Sequence, residues 1–341
     1  MRKALKIARR VLLVFLAGIL LIIIGLIINN RIIYGKYSSV NVDSSTLSVS
    51  ELEDVADTYS YLSGHGNEIF KGFDQSIDLV VFNRKYEFLF TNKDYSGEWT
   101  YLGNDNATGK KIYSRAADSP QAFAVKVGDT WAGSFNTHDY FNLSILQQVP
   151  IFMPPQLFTY DKIGYRSLVI HEMMHAYQGK CDYDRVDKDE HIHNVCENLY
   201  SNTSFNRYIE QEGALLEEAA QLTDKSKIAS QVYEFLSTRD KRRSECGISD
   251  ADINNEQEFE WLEGCARYAE YISSNGSKSS ISKSLSDISE KVKTRSEERY
   301  YALGMAEILV IKQLDIENWQ HKLLYEGYTP EALLREYVKN K

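Results

Sequence analysis

Two histidines four residues apart, with a glutamate directly after the first, stand in the stretch SLVIHEMMHAYQGK, Ser167 to Lys180. Up to Gln178 the stretch has no glycine or proline, and Leu168, Val169, Ile170, Met173 and Met174 form a broad apolar stripe, so a buried helix is expected. One helical turn separates His171 from His175, which puts both imidazoles on one face, where their nitrogens can meet one metal ion at about 2.0–2.1 Å. Glu172 is rotated by roughly 100° from His171, which suits it to a water beside the metal and not to the metal itself. These are the residue types that zinc-assisted hydrolysis requires: imidazoles to hold Zn²⁺ and a carboxylate to take a proton from water. The plain alternative is two core histidines beside an unrelated glutamate, but such groups are costly to desolvate without a metal.

A catalytic zinc site needs a third protein ligand. A third histidine spaced as HExxHxxGxxH would fall on Cys181, with Gln178 at the glycine position, so that arrangement is excluded. A glutamate on a later helix is the other solution. YIEQEGALLEEAAQL offers Glu212 and Glu217, and EFEWLEGCARYAEY offers Glu260 and Glu263. A glycine follows both Glu212 and Glu263, which would let either helix approach the HExxH helix closely. Spacing leaves the choice open.

The second segment resembles the W-L-x-E-G-x-A-x-Y segment of gluzincin-type metallopeptidases of the peptidase MA-like group. The matching residues are Trp261, Leu262, Glu263, Gly264, Ala266 and Tyr268, with the residue between leucine and glutamate missing. HEMMHAYQ resembles the active-site helix of the same group, and the resemblance covers Tyr165 to Tyr271. It implies a zincin-like α+β fold, His171, His175 and Glu263 as zinc ligands, and Glu172 as general base. The 87 residues between His175 and Glu263 leave Glu212 in competition. Tyr268, Tyr271, His191 and His193 are candidate donors to an oxyanion, none of them fixed by spacing.

The remainder of the chain must position these groups. Residues 1–10 carry five positive charges and no acid, and residues 11–28, VLLVFLAGILLIIIGLII, are eighteen apolar residues without a charge. That run makes about 27 Å of helix, close to the thickness of a bilayer core. NNRIIYGKY follows in place of a small-x-small cleavage site, so an uncleaved signal-anchor is expected, with its basic end cytoplasmic and everything after Asn29 outside. A polar stalk is expected over residues 29–49. Residues 50–164 then read as a mixed α/β lobe, with an acidic helix from Ser50 to Leu62, the strand runs IDLVVFN and KYEFLF, and a hairpin of FAVKV and TWAGSF about Gly128-Asp129. Residues 165–341 read as a larger helical lobe, with the histidine helix at the junction of the two, where clefts form. Within it Tyr300 to Ile311 is expected as a core helix, Ser273 to Glu290 as a serine-rich loop opening into a helix, and Thr329-Pro330 as a helix start. The strand Trp131 to Thr137 is expected at the edge of the cleft, where an extended peptide could add to it.

The net charge is -9, and removing the seven positive charges that precede Tyr37 leaves -16 on the exported part. That charge argues against nucleic acid or anionic lipid as its main partner, since both would be repelled. Cys181, Cys196, Cys246 and Cys265 allow three pairings, of which Cys181–Cys196 and Cys246–Cys265 are favoured by nearness. The basic run RDKRR, Arg239 to Arg243, and the HIH of His191 to His193 read as solvated. Together these features describe a single-pass cell-membrane protein whose extracytoplasmic domain is a Zn²⁺-dependent metallopeptidase, a hydrolase of peptide or protein substrates. The rivals are a non-catalytic zinc-binding scaffold module, a zinc hydrolase of a non-peptide amide, and a metal-free structural protein.

Overall fold

A computed structural model describes residues 2–150, 152–277 and 287–341. Of the serine-rich stretch from Ser273 to Glu290, residues 278–286 lie outside the described ones. The first helix, α1 (Arg2–Ser38), runs without interruption from the basic end through the apolar run. It is long and apolar enough to cross a membrane, and none of its apolar window is buried.

After α1 the chain does not stand off as a stalk. Val42 is buried, its carbonyl accepts from the Arg84 amide, and Asp43 forms an ion pair with Arg84. Helix α2 (Val49–Ile69) starts at a capping box, in which the Ser48 hydroxyl accepts from the Glu51 amide and the Glu51 carboxylate accepts from Ser48. It extends the acidic helix read from sequence by two turns.

Six strands follow: β1 (Asp78–Phe82), β2 (Tyr86–Thr91), β3 (Thr100–Asn104), β4 (Lys111–Ala116), β5 (Phe123–Val127) and β6 (Thr130–Asn136). They form one mixed sheet in the order β3-β4-β2-β1-β6-β5, with β1 and β6 parallel and every other pair antiparallel. The hairpin about Gly128 forms as expected, with Val127 opposite Thr130 and Gly128 at φ 64°. It also corrects the expectation for Trp131 to Thr137. That strand is β6, enclosed between β1 and β5, and the free edge on this side is β5.

Helix α3 (His138–Gln148) leads into α4 (Lys162–Cys181), capped by Asp161, whose carboxylate accepts from the Gly164 amide. The helical lobe continues with α5 (Tyr183–Asp189), α6 (Thr203–Gln221), α7 (Lys225–Glu245), α8 (Asp250–Ser273), α9 (Asp287–Lys291), α10 (Glu298–Leu314), α11 (Trp319–Tyr325) and α12 (Pro330–Lys339). The last starts as read, with Thr329 as cap and Pro330 in the first turn. The protein is thus α+β and mostly helical, and one hydrophobic core joins α2, one face of the sheet and the helical lobe.

Two close approaches set the position of the histidine helix. A Cβ on Gly133 of β6 would lie 2.8 Å from the Met173 backbone, so glycine lets α4 rest directly on the sheet. A Cβ on Gly264 would lie 2.6 Å from Gly304, so the glycine after Glu263 serves contact of α8 with α10 and not with the HExxH helix.

Two expectations fail in the helical lobe. The four cysteines are free thiols, and the Cys181 thiol lies 3.1 Å from the Tyr325 hydroxyl instead of bonding to Cys196. The run from Arg239 to Arg243 is not a solvated helix end either. Arg239, Arg242 and Arg243 are buried and bind Glu212, Glu256, Glu260, Glu307 and Glu331. A helix hydrophilic by composition here faces inward, because its charges meet opposite charges from α6, α8, α10 and α12.

Candidate metal centre

His171 and His175 project from the middle of α4, and Glu263 meets them from the middle of α8. The His171 and His175 Nε2 atoms are 3.3 Å apart, and the Glu263 Oε2 lies 3.4 Å from the first and 3.5 Å from the second. All three residues are 8% exposed or less. Glu172 is 9% exposed and also offers a carboxylate oxygen within 4.8 Å of the histidine atoms. The two carboxylates differ in geometry: Glu263 is nearly equidistant from both imidazoles, whereas Glu172 comes from the same helix turn as His171. An oxygen of each, Glu172 Oε2 and Glu263 Oε2, is buried without a hydrogen-bond partner among the described residues. Buried carboxylate oxygens without donors are costly, and a cation offsets that cost. This donor set could hold a metal ion.

Both imidazoles are oriented from behind. The His171 Nδ1 lies 3.1 Å from Glu270 on α8, itself paired with Arg267. The His175 Nδ1 lies 3.2 Å from the Gln178 Oε1, and Gln178 Nε2 donates to the Trp261 carbonyl at 3.2 Å. Such partners fix ring orientation and leave the Nε2 atoms pointing at the shared point. Neither Glu270 nor Gln178 was picked out by motif spacing. One signal was available, since Glu270 lies two turns beyond Glu263 on the same helix face.

Charge in the site is unbalanced. Burial opposes a charged His171, yet the Glu263 and Glu270 carboxylates beside its two ring nitrogens hold its pKa up at about 10. Burial pushes Glu172 up to about 8, against the pull of His171. Burial lowers His175. Glu263 is drawn down to about 2, burial being outweighed by His175 and His171. The site therefore attracts positive charge and retains a proton to supply it.

Tyr301 on α10 is a third residue that sequence reading missed. Its ring stacks on His171 at 6.2 Å, and its hydroxyl pKa is raised by burial and by the charges of Glu263 and Glu172. It borders two cavities. One, of about 290 Å³, is lined by Tyr160, Glu172, Arg267 and Glu270, and the other, of about 600 Å³, by Glu263, Phe259 and the residues from Ser119 to Lys126. The edge strand β5 borders the larger cavity and sets Phe123 against His175 at 4.5 Å between ring centres.

The remaining candidates lie elsewhere. Glu212 is saturated by Arg239 at 2.9 Å and Arg242 at 2.6 Å, and Glu260 by Arg239 at 2.8 Å. Glu217 accepts from the Ser289 amide at 3.1 Å. The Tyr268 hydroxyl accepts from Lys312 at 3.0 Å, with its ring against Phe70, and Tyr271 packs on the core. His191 and His193 are exposed and line the mouth of the larger cavity. Comparison with protein-family models, curated proteins and solved structures returned no match.

Proposed function

We propose that this chain is a membrane-anchored zinc metallopeptidase of gluzincin type, with a zincin-like fold in which the HExxH helix lies between the sheet lobe and the helical lobe. One observation carries the reading: the triangle of His171 Nε2, His175 Nε2 and Glu263 Oε2, with edges of 3.3, 3.4 and 3.5 Å. Tetrahedral bonds of about 2.0–2.1 Å from one Zn²⁺ put its ligand atoms about 3.3–3.4 Å apart, so these side chains fit the ion as they stand. The unpartnered Glu263 oxygen supports the same assignment.

Bound Zn²⁺ would supply Lewis-acid polarisation of the scissile carbonyl and lower the pKa of a water. The chain supplies the remainder. Glu172, one residue from the ligand His171 and with an oxygen left without a donor, accepts the proton of the attacking water and returns it to the leaving amine. Tyr301 keeps its hydroxyl proton and can donate to the carbonyl oxygen as negative charge develops there. Glu270 and Gln178 hold the imidazoles in orientation. An extended peptide pairs with the free edge of β5 and crosses between the two cavities, with its scissile bond beside Glu172. A bound-peptide structure without main-chain pairing to β5 would reject that placement. The apolar run of α1 holds the protein in the cell membrane with the basic end cytoplasmic and the catalytic body outside.

The test is to purify the full chain in lipid nanodiscs, count zinc per chain, and assay a mixed peptide library by mass spectrometry beside Glu172→Gln. One zinc in both proteins is expected, with cleavage confined to the wild type and a loss of roughly 10²–10⁴-fold in the variant. Zinc without cleavage by either would refute the peptidase reading, and absence of zinc would refute the site.

A further inference from the structure

The loop between α3 and α4 has a surface that its own fold does not explain. Phe152 to Tyr160, FMPPQLFTY, contains no charged residue. Phe152, Met153 and Leu157 are 58%, 36% and 55% exposed. The loop is nonetheless built: Pro155 is buried and opens a turn of 3-10 helix, Pro155–Leu157. Single exposed apolar residues are ordinary on a protein surface, but three on one stiff, uncharged loop mark a contact surface.

Helix α1 indicates what the contact is. Ile28 ends the apolar run, and Asn30 lies two residues on, about 3 Å along the helix axis. Asn30 Nδ2 donates to the Met153 carbonyl at 2.6 Å. The loop is therefore held at the level where the apolar run of α1 ends. Beside that contact a cavity of about 340 Å³ lies between α1 and the end of α3, lined by Arg31, Tyr34, Leu146 and Val149. A cation and an amphipathic ring just past an apolar span are the residues that favour the headgroup layer.

We infer that this loop is a second, interfacial anchor, entering the outer headgroup layer of a phospholipid bilayer beside α1 and fixing the tilt of the body on the membrane. The inference rests on α1 being a retained membrane span. Its consequence for the metal centre follows from α4, which begins just beyond the loop. His171 lies nine residues after Lys162, about 14 Å along the helix, so the catalytic groups are held near the membrane surface.

The test uses the full chain in phosphatidylcholine vesicles containing lipids brominated at shallow acyl positions. Tryptophan emission is compared between wild type, Phe152→Trp, Leu157→Trp and the control Tyr325→Trp. Tyr325 is 52% exposed and lies beside Cys181, at the opposite end of α4, about 28 Å from its start. The emission added at positions 152 and 157 should be blue-shifted and quenched by the bromines, and that added at position 325 should not. If the chain floats with the vesicles but positions 152 and 157 are quenched no more than 325, the interfacial loop is refuted and the anchor stands. If the chain does not float with the vesicles, both fall.

Discussion

Helix α8 carries two clusters of buried charge that are neutralised in different ways. In its first half Glu256 and Glu260, with Glu212, Glu307 and Glu331, accept hydrogen bonds from Arg239, Arg242 and Arg243, and all eight side chains are 8% exposed or less. In its second half Glu263 and Glu270 face His171 and His175, and Glu172 and Glu263 keep oxygens without donors. The first cluster brings its own permanent cations. The second relies on a proton held on His171, a charge that a metal ion can replace. The chain thus fixes the charge of the first cluster itself and leaves that of the second open to exchange with a cation.

The largest test of that contrast is Arg239→Met, which leaves Glu212, Glu260, Glu307 and Glu331 without their shared partner. Removing one side of a buried ion pair costs about 3–5 kcal/mol, so the denaturant midpoint should fall steeply whether or not zinc is present. A loss under about 1 kcal/mol would mean that the arginine cluster is not structural. Glu263→Ala should differ in its dependence on zinc. Without zinc it should lose some stability, because the carboxylate held low by His175 and His171 is gone, and in addition the stabilisation that zinc gives the wild type, about 4 kcal/mol at a thousandfold excess over Kd, should vanish. Stoichiometric zinc retained by Glu263→Ala would remove it from the ligand set. Glu270→Gln should be milder, with zinc still bound but about 10–100-fold more weakly in a competition titration. Unchanged affinity would mean that Glu270 does not orient His171.

The same contrast explains what could be read from the sequence. The HExxH helix was legible because its chemistry and its apolar framing both lie within one stretch of chain. So were the capped start of α12 and the hairpin about Gly128, each set by a local turn or cap. The role of RDKRR was not, because a run of arginines reads as solvated until the carboxylates that bury it arrive from four other helices. Strand order was hidden for a similar reason. β6 becomes an interior strand through pairing with β1, whose residues lie some fifty positions earlier. Tyr301 belongs to a segment that reads as core, and only the packing of α10 on α8 at Gly264 and Gly304 turns that one ring toward His171.

The smallest expected effect concerns where the arginine cluster keeps its protons. Five carboxylates face three buried guanidinium groups, with Arg335 a fourth at Glu331, so the cluster as a whole favours a retained proton. Burial, only partly offset by Arg239, raises Glu307 to about 7, while Glu256 is lowered to about 2 because Arg242 and Arg243 outweigh its burial. The signs are opposite. Relative to an unfolded value of about 4.3, the Glu307 contribution is complete below that pH and is lost as pH rises toward 7. The Glu256 contribution is complete above about 4.3 and is lost as pH falls toward 2. Glu307→Gln keeps an oxygen for Arg239 but cannot titrate. The stability difference between wild type and this variant, measured by denaturant unfolding with zinc chelated, should therefore fall between about pH 4.3 and 7 and be level below that window. A difference that is flat across the window would place the retained proton on another carboxylate of the cluster, with Glu260, also raised by burial, the first to substitute next.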